Sequence, residues 1–173
     1  EYDTAFFDKQ SKFMHYSPYI LLINNIEFDH ADIFQDIGDI IRTFHNLIRL
    51  IPSDGKVIIN KNDSNIKKLI KIGCWSKIIT IDEKKTDGDF NIIKGKKYTL
   101  SVKNNRYKLP DHMIGQHNYL NATAAIAVGC QLNINVNKQI NSLETFRGVQ
   151  KRMEYIGQVN GTKIYDDFAH HPT

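Results

Sequence analysis

Cysteine is scarce in this chain: Cys74 and Cys130 are the only two in 173 residues. They lie far apart and form no C-x-x-C pair, which excludes a disulfide-stapled scaffold and a thiolate metal site. Both read as reduced, buried small hydrophobes of a cytoplasmic protein. No apolar stretch is long enough to span a bilayer and no signal peptide opens the chain, so no membrane role is expected. Repeats and low-complexity segments are also missing, which excludes solenoids and linkers. Charge is slight, +4 with a pI near 8.9. It suits an anionic small substrate and gives no support for a nucleic-acid partner. What remains, 41% hydrophobic and 24% charged residues, is the make-up of one globular domain with a real core.

The stretch Ile20–Asp32 organises the rest. A continuous apolar run, Ile20 to Ile23, gives way at once to Asn25, Glu27, Asp29, His30 and Asp32. Such a run suits a strand buried on both faces, hence a parallel α/β sheet. Ligands of these sheets bind past the carboxyl ends of the strands, where those polar residues fall. Apolar residues at helical spacing follow between Ile33 and Ile51, and Pro52-Ser-Asp-Gly55 turns the chain. A strand at 57–59, a helix capped by Asn62-Asp63-Ser64 and closed by Gly73, and a strand at 78–81 complete the βαβ signature.

From Asp82 to Leu109 short alternating segments read as a small antiparallel meander. Its lysines and Tyr98 and Tyr107 can be seen as a base-stacking basic patch, but solvated edge strands protected by lysine are the preferred reading. An alanine-rich helix opens near His117, a second helix is expected over 137–146, and an Asn160-Gly161 turn joins two strands of a hairpin.

Three clusters can carry chemistry. In Glu27-Phe-Asp-His-Ala-Asp32, carboxylates with one imidazole suit a hard divalent ion better than zinc; the alternative is a structural histidine. In Gly115-Gln-His-Asn-Tyr-Leu-Asn121, Asn118 and Asn121 project from one face of a first helical turn, and amides pair naturally with adenine. Capping by Asn118 over a buried His117 is the alternative. The third comprises Arg147, Lys151, Arg152 and Glu154, then Asp166, Asp167, His170 and His171. Arg152 there can clamp a phosphate, or the whole can be a solvated loop.

Together the clusters resemble the Mur ligase family of ATP-dependent ligases of peptidoglycan synthesis. Asn25-Ile-Glu-Phe-Asp-His-Ala-Asp32, Gly115-Gln-His-Asn-Tyr-Leu-Asn-Ala-Thr-Ala-Ala125, Arg152-Met-Glu154 and Asp166-Asp-Phe-Ala-His-His-Pro-Thr173 match that family's central-domain motifs in order. Phe28-Asp-His-Ala-Asp-Ile-Phe34 and Tyr165-Asp-Asp-Phe-Ala-His-His171 look closest to its recycling branch. That branch joins UDP-N-acetylmuramate to L-alanyl-γ-D-glutamyl-meso-diaminopimelate through an acyl phosphate; the sister muramate–alanine ligases are the alternative. The resemblance implies ATP and Mg²⁺ as cofactors and the muramate nucleotide and murein tripeptide as partners. It implies His30 as a catalytic metal ligand and His117, Asn118 and Asn121 around adenine. Arg152 would act in catalysis on the ATP phosphates, Asp167 on the ribose, and His170 and His171 on the muramate side.

The chain departs from the pattern in two ways. It contains no G-x-x-G-K-[ST] phosphate loop, and the family's first metal-binding glutamate would lie upstream of Glu1. No lysine near Thr43–His45 can be carbamylated, as in the muramate branch. The expected organisation is therefore residues 1–165 as the C-terminal part of the central ATP-binding domain and 166–173 as a hinge to a ligase domain. Alone, such a fragment is expected to be inactive. A non-catalytic nucleotide-binding module and a metal hydrolase using His30, His170 and His171 are the other readings to be tested.

Overall fold

The computed structural model describes residues 11–31, 33–84 and 86–169. A single 3₁₀ turn, Lys12–His15, precedes strand β1 (Ile20–Ile23), helix α1 (Ile37–Leu50), β2 (Lys56–Asn60), α2 (Ser64–Ile72) and β3 (Lys77–Asp82). Then come β4 (Phe90–Lys94), β5 (Tyr98–Val102), β6 (Asn105–Lys108), α3 (Gln116–Gln131), α4 (Val136–Glu144), β7 (Glu154–Val159) and β8 (Thr162–Asp166).

Strands β1 to β6 form one sheet in chain order, and among the described residues β7 pairs only with β8. The pairs β1–β2, β2–β3 and β3–β4 are parallel; β4–β5 and β5–β6 are antiparallel. Alternation along β2 shows why the sequence reads as an unbroken apolar run. Val57 and Ile59 face the cluster built with α1 and α2, while Ile58 faces the cluster built with α3 and α4. A strand covered on both faces has no solvent side to make polar. The small residues Ala122, Ala124 and Ala127 are buried in α3 and let its backbone lie close to the sheet.

The expected meander is present but is not a separate layer. Its first strand, β4, continues the parallel sheet through two residue pairs, Ile81 with Phe90 and Asp82 with Asn91. The link 83–89 is too short to carry the chain back along the whole of β3, as a helical crossover would. So β4 joins only the end of β3, and Ile92–Lys94 run on beyond it. Tyr98 stacks on Tyr119 with ring centroids 3.8 Å apart, and Lys97 and Lys108 both pair with Asp111. Tyr98 is thus engaged within the chain, and of the three meander strands only β6 lies at an edge of the sheet, while β4 and β5 are buried or half-buried along most of their length.

Element ends differ from the periodicity in small ways with local causes. Helix α1 begins at Ile37 because Asp36 caps it, accepting from Asp39 N at 3.0 Å. The preceding residues instead turn back, Ile33 N and Phe34 N both donating to the His30 carbonyl. Helix α4, capped by Asn135, starts one residue before the expected 137–146, at Val136, and ends two residues short of it, at Glu144. The hairpin turn at Asn160 and Gly161 has positive φ at both residues, 48° and 83°, as a type I′ turn requires. Both cysteines are free and half-buried, and burial pushes the Cys130 thiol above its ordinary range. Among the described residues no helix is long and apolar enough to cross a membrane.

Candidate functional site at the carboxyl edge of the sheet

The carboxyl ends of β1, β2 and β3 deliver Asn24, Asn60 and Asp82 to one edge. Asp82 is fully buried, which a carboxylate tolerates only when hydrogen-bonded. Its oxygens accept from Asn62 Nδ2 at 2.9 Å, Lys84 N at 2.8 Å and Asp87 N at 3.3 Å. The Lys61 ammonium lies 3.9 Å away and also pairs with Asp87. One buried anion thus shapes both the β2–α2 turn and the β3–β4 link.

The loop after β1 is held from α2. Asp63 caps that helix, accepting from Asn65 N and Ile66 N at 2.8 Å each, and its second oxygen faces Ile26 N at 3.4 Å. Asn65 Nδ2 closes the arrangement by donating to the Ile26 carbonyl at 2.8 Å. Asp63→Ala is therefore expected to cost about 1–2 kcal/mol of stability, read as a lower urea midpoint with an unchanged slope. Between this loop and α2 lies an open cavity of 490 Å³ lined by Ile26, Glu27, Phe28, Asp63 and Asn65.

His30 sits at the outer end of that loop in a left-handed conformation, φ 55°. Its backbone N–H donates to Asp29 Oδ1 at 2.7 Å, and its Nε2 lies 3.8 Å from Asp29 Oδ2. The imidazole is close to half exposed, 44%. Among the described residues no three His, Cys, Asp or Glu side chains converge as a complete cation cage. An imidazole beside a carboxylate is a partial donor set that a hydrated divalent ion such as Mg²⁺, with water and phosphate oxygens completing its shell, could take. Asp32, which ends the same motif, lies outside the described residues, as do His170 and His171.

The second cluster starts α3. Gly115 is the N-cap, at φ 82° and ψ 146°, a conformation that L side chains avoid. A Cβ there would also sit 2.6 Å from the His117 ring. Gly115→Ala is expected to destabilise the chain by about 1–3 kcal/mol through backbone strain, measurable by chemical denaturation. His117 is exposed rather than buried, and Asn118 is not the cap: its Nδ2 donates to the Ile114 carbonyl at 2.7 Å. Asn121 is exposed, and its Oδ1 accepts from Asn24 Nδ2 at 2.7 Å. Gln116 Nε2 donates to Glu83 Oε2 at 2.9 Å. These two bonds lay the start of α3 across the ends of β1 and β3.

The third cluster is assembled on the hairpin. Arg152 and Asp167 are exposed, and the two segments meet where Phe168 N donates to the Lys151 carbonyl at 2.8 Å. Lys151 N in turn donates to Glu154 Oε2 at 2.9 Å. Among the described residues no hydrogen bond or ion pair joins the Arg152 or Asp167 side chain to the first two clusters. Asn24, Asp82 and the Gln116–Glu83 pair were not singled out from sequence. The rule that ligands sit past strand ends, applied to β3 as well as β1, points to the position of Asp82 but not to its burial.

Comparison with known proteins agrees with this geometry. Residues 5–129 match the Mur ligase middle domain. The UDP-N-acetylmuramate–L-alanyl-γ-D-glutamyl-meso-2,6-diaminoheptandioate ligase of Escherichia coli K12 is 40% identical over 181 aligned positions, covering 100% of this chain and 38% of that protein. The UDP-N-acetylmuramate–L-alanine ligase of Clostridium novyi is 36% identical, over 95% of this chain and 37% of its own length. A murein peptide ligase structure from Psychrobacter arcticus superposes with a TM-score of 0.75 at 35% identity, covering 96% of this chain and 35% of that one. The chain therefore spans somewhat over a third of the length of these relatives. With its middle-domain match, its motif order and this fold, the chain belongs to the Mur ligase family.

Proposed function

We propose that this domain serves a cytoplasmic ATP-dependent ligase that joins UDP-N-acetylmuramate to L-alanyl-γ-D-glutamyl-meso-diaminopimelate in peptidoglycan recycling. The observation that carries the reading is the 40% identity to the Escherichia coli ligase over the whole chain. The described residues of the matching motifs lie at the carboxyl edge of the sheet and around the hairpin. In this proposal ATP, with Mg²⁺, supplies the phosphoryl group that activates a carboxylate for attack by an amine.

The chain's own residues then hold and orient. His30 ligates the metal ion. Asn118 and Asn121, with the exposed His117 next to them, receive the adenine. Arg152 neutralises phosphate charge and Asp167 receives the ribose; residues 166–173 form the join to a further domain, with His170 and His171 toward the muramate. Positioning and charge neutralisation are most of what such chemistry demands of a protein.

The test is ADP release by the full-length protein with UDP-N-acetylmuramate and either the tripeptide or free L-alanine. Turnover with the tripeptide is expected. Preference for alanine would favour the second reading, muramate–alanine ligase, to which the Clostridium novyi relative points. ATP binding without any amide product would leave a nucleotide-binding module.

A further inference from the structure

The two asparagines that open α3 are held in opposite senses. Asn118 Nδ2 donates to the Ile114 carbonyl; a carbonyl can only accept, so the amide is turned with its nitrogen on Ile114, and its Oδ1, which makes no hydrogen bond among the described residues, is available as an acceptor. Asn121 is held the other way round. Its Oδ1 accepts from Asn24 Nδ2, and among the described residues its own NH₂ group bonds to no other protein atom, so a donor faces outward. One helical turn apart, the pair offers one acceptor and one donor. The 6-amino group of adenine beside a ring nitrogen is complementary to that pattern, whereas guanine presents acceptors at both O6 and N7.

Asn24 gains little stability from being an amide. Its Oδ1 is buried and has no hydrogen-bond partner among the described residues, a state that an apolar side chain of the same shape would avoid. We propose that Asn24 is a positioning residue for base recognition. By donating to Asn121 across 97 positions of the chain, it fixes the polarity of the Asn118–Asn121 pair and so the choice of adenine. This rests on the reading above, in which that pair receives the base.

The test compares KM for ATP, 7-deaza-ATP and 1-deaza-ATP in the full-length ligase and its Asn24→Leu and Asn121→Ala variants. Each analogue replaces one ring-nitrogen acceptor by C–H. In the native protein one analogue is expected to show a KM about fivefold above that of ATP, the value of one hydrogen bond. In Asn24→Leu that ratio should fall to near one, the effect lying in KM rather than kcat, with a melting temperature equal to or above the native one. The ratio is read on folded enzyme, so a partial loss of folding does not disturb it. A native ratio retained in Asn24→Leu overturns the proposal, as does a native protein indifferent to both analogues while Asn121→Ala raises KM for ATP. If Asn121→Ala leaves KM for ATP and both ratios unchanged, it is the underlying placement of adenine that fails.

Discussion

Asp82→Ala is expected to lower the stability of the chain by about 2–4 kcal/mol, the sum of several buried donors losing their shared acceptor. The side chain is buried and accepts from a side-chain amide and two backbone N–H groups on different segments. Alanine removes the acceptor without supplying another, and the freed donors are only partly reached by water. Asp82→Asn keeps one carbonyl oxygen but turns an NH₂ toward existing donors, so it should fall between the two. The measurement is the urea midpoint at constant slope. A loss below about 0.5 kcal/mol, the range of ordinary surface changes, would show that these bonds are replaced by solvent. Because the same link carries Glu83, which receives Gln116 of α3, the variant should also weaken nucleotide binding in the full-length protein.

His30→Asn should act in the opposite manner, sparing the fold and removing the activity. The ring is exposed and its backbone is left-handed, a conformation that asparagine accepts and alanine resists. Asparagine therefore separates loss of the imidazole from loss of the turn. In the full-length protein, assayed for the proposed ligation, kcat is expected to fall by about 10²–10³-fold, the usual effect of removing one group that stabilises developing charge. The melting temperature should shift little. Activity within threefold of the native protein would remove His30 from the site.

Much of the fold was readable because β1, β2 and β3 are short apolar runs, bounded by turn residues and separated by amphipathic helices. Periodicity reports that arrangement directly. What it could not report was the joint between β3 and β4. Alternation along 90–108 specifies antiparallel pairing within the meander, but the two parallel pairs Ile81–Phe90 and Asp82–Asn91 are set by the length of a loop. The site divides in the same way. His30, His117, Asn118 and Asn121 stood out because their residue types and spacing are unusual at strand and helix ends. Asn24 did not, since in a chain rich in asparagine nothing local marks the one whose partner lies on a helix far along the sequence. Asp82 was hidden for a related reason: its importance comes from burial, and a single aspartate at a strand end has no spacing to betray it.

The joint between β3 and β4, two ladder pairs long, is where the parallel strands meet the antiparallel ones, and Asp89 reinforces it by accepting from Thr80 N and Thr80 Oγ1 at 2.8 Å each. Helix α3, packed against β1, β2 and β4, crosses that joint like a splint. The alanines along it then do more than fill space, for close seating is what lets one rigid rod brace both halves. Asn118 and Asn121 begin that same helix, so the packing that seats α3 on both halves of the sheet also seats these two side chains.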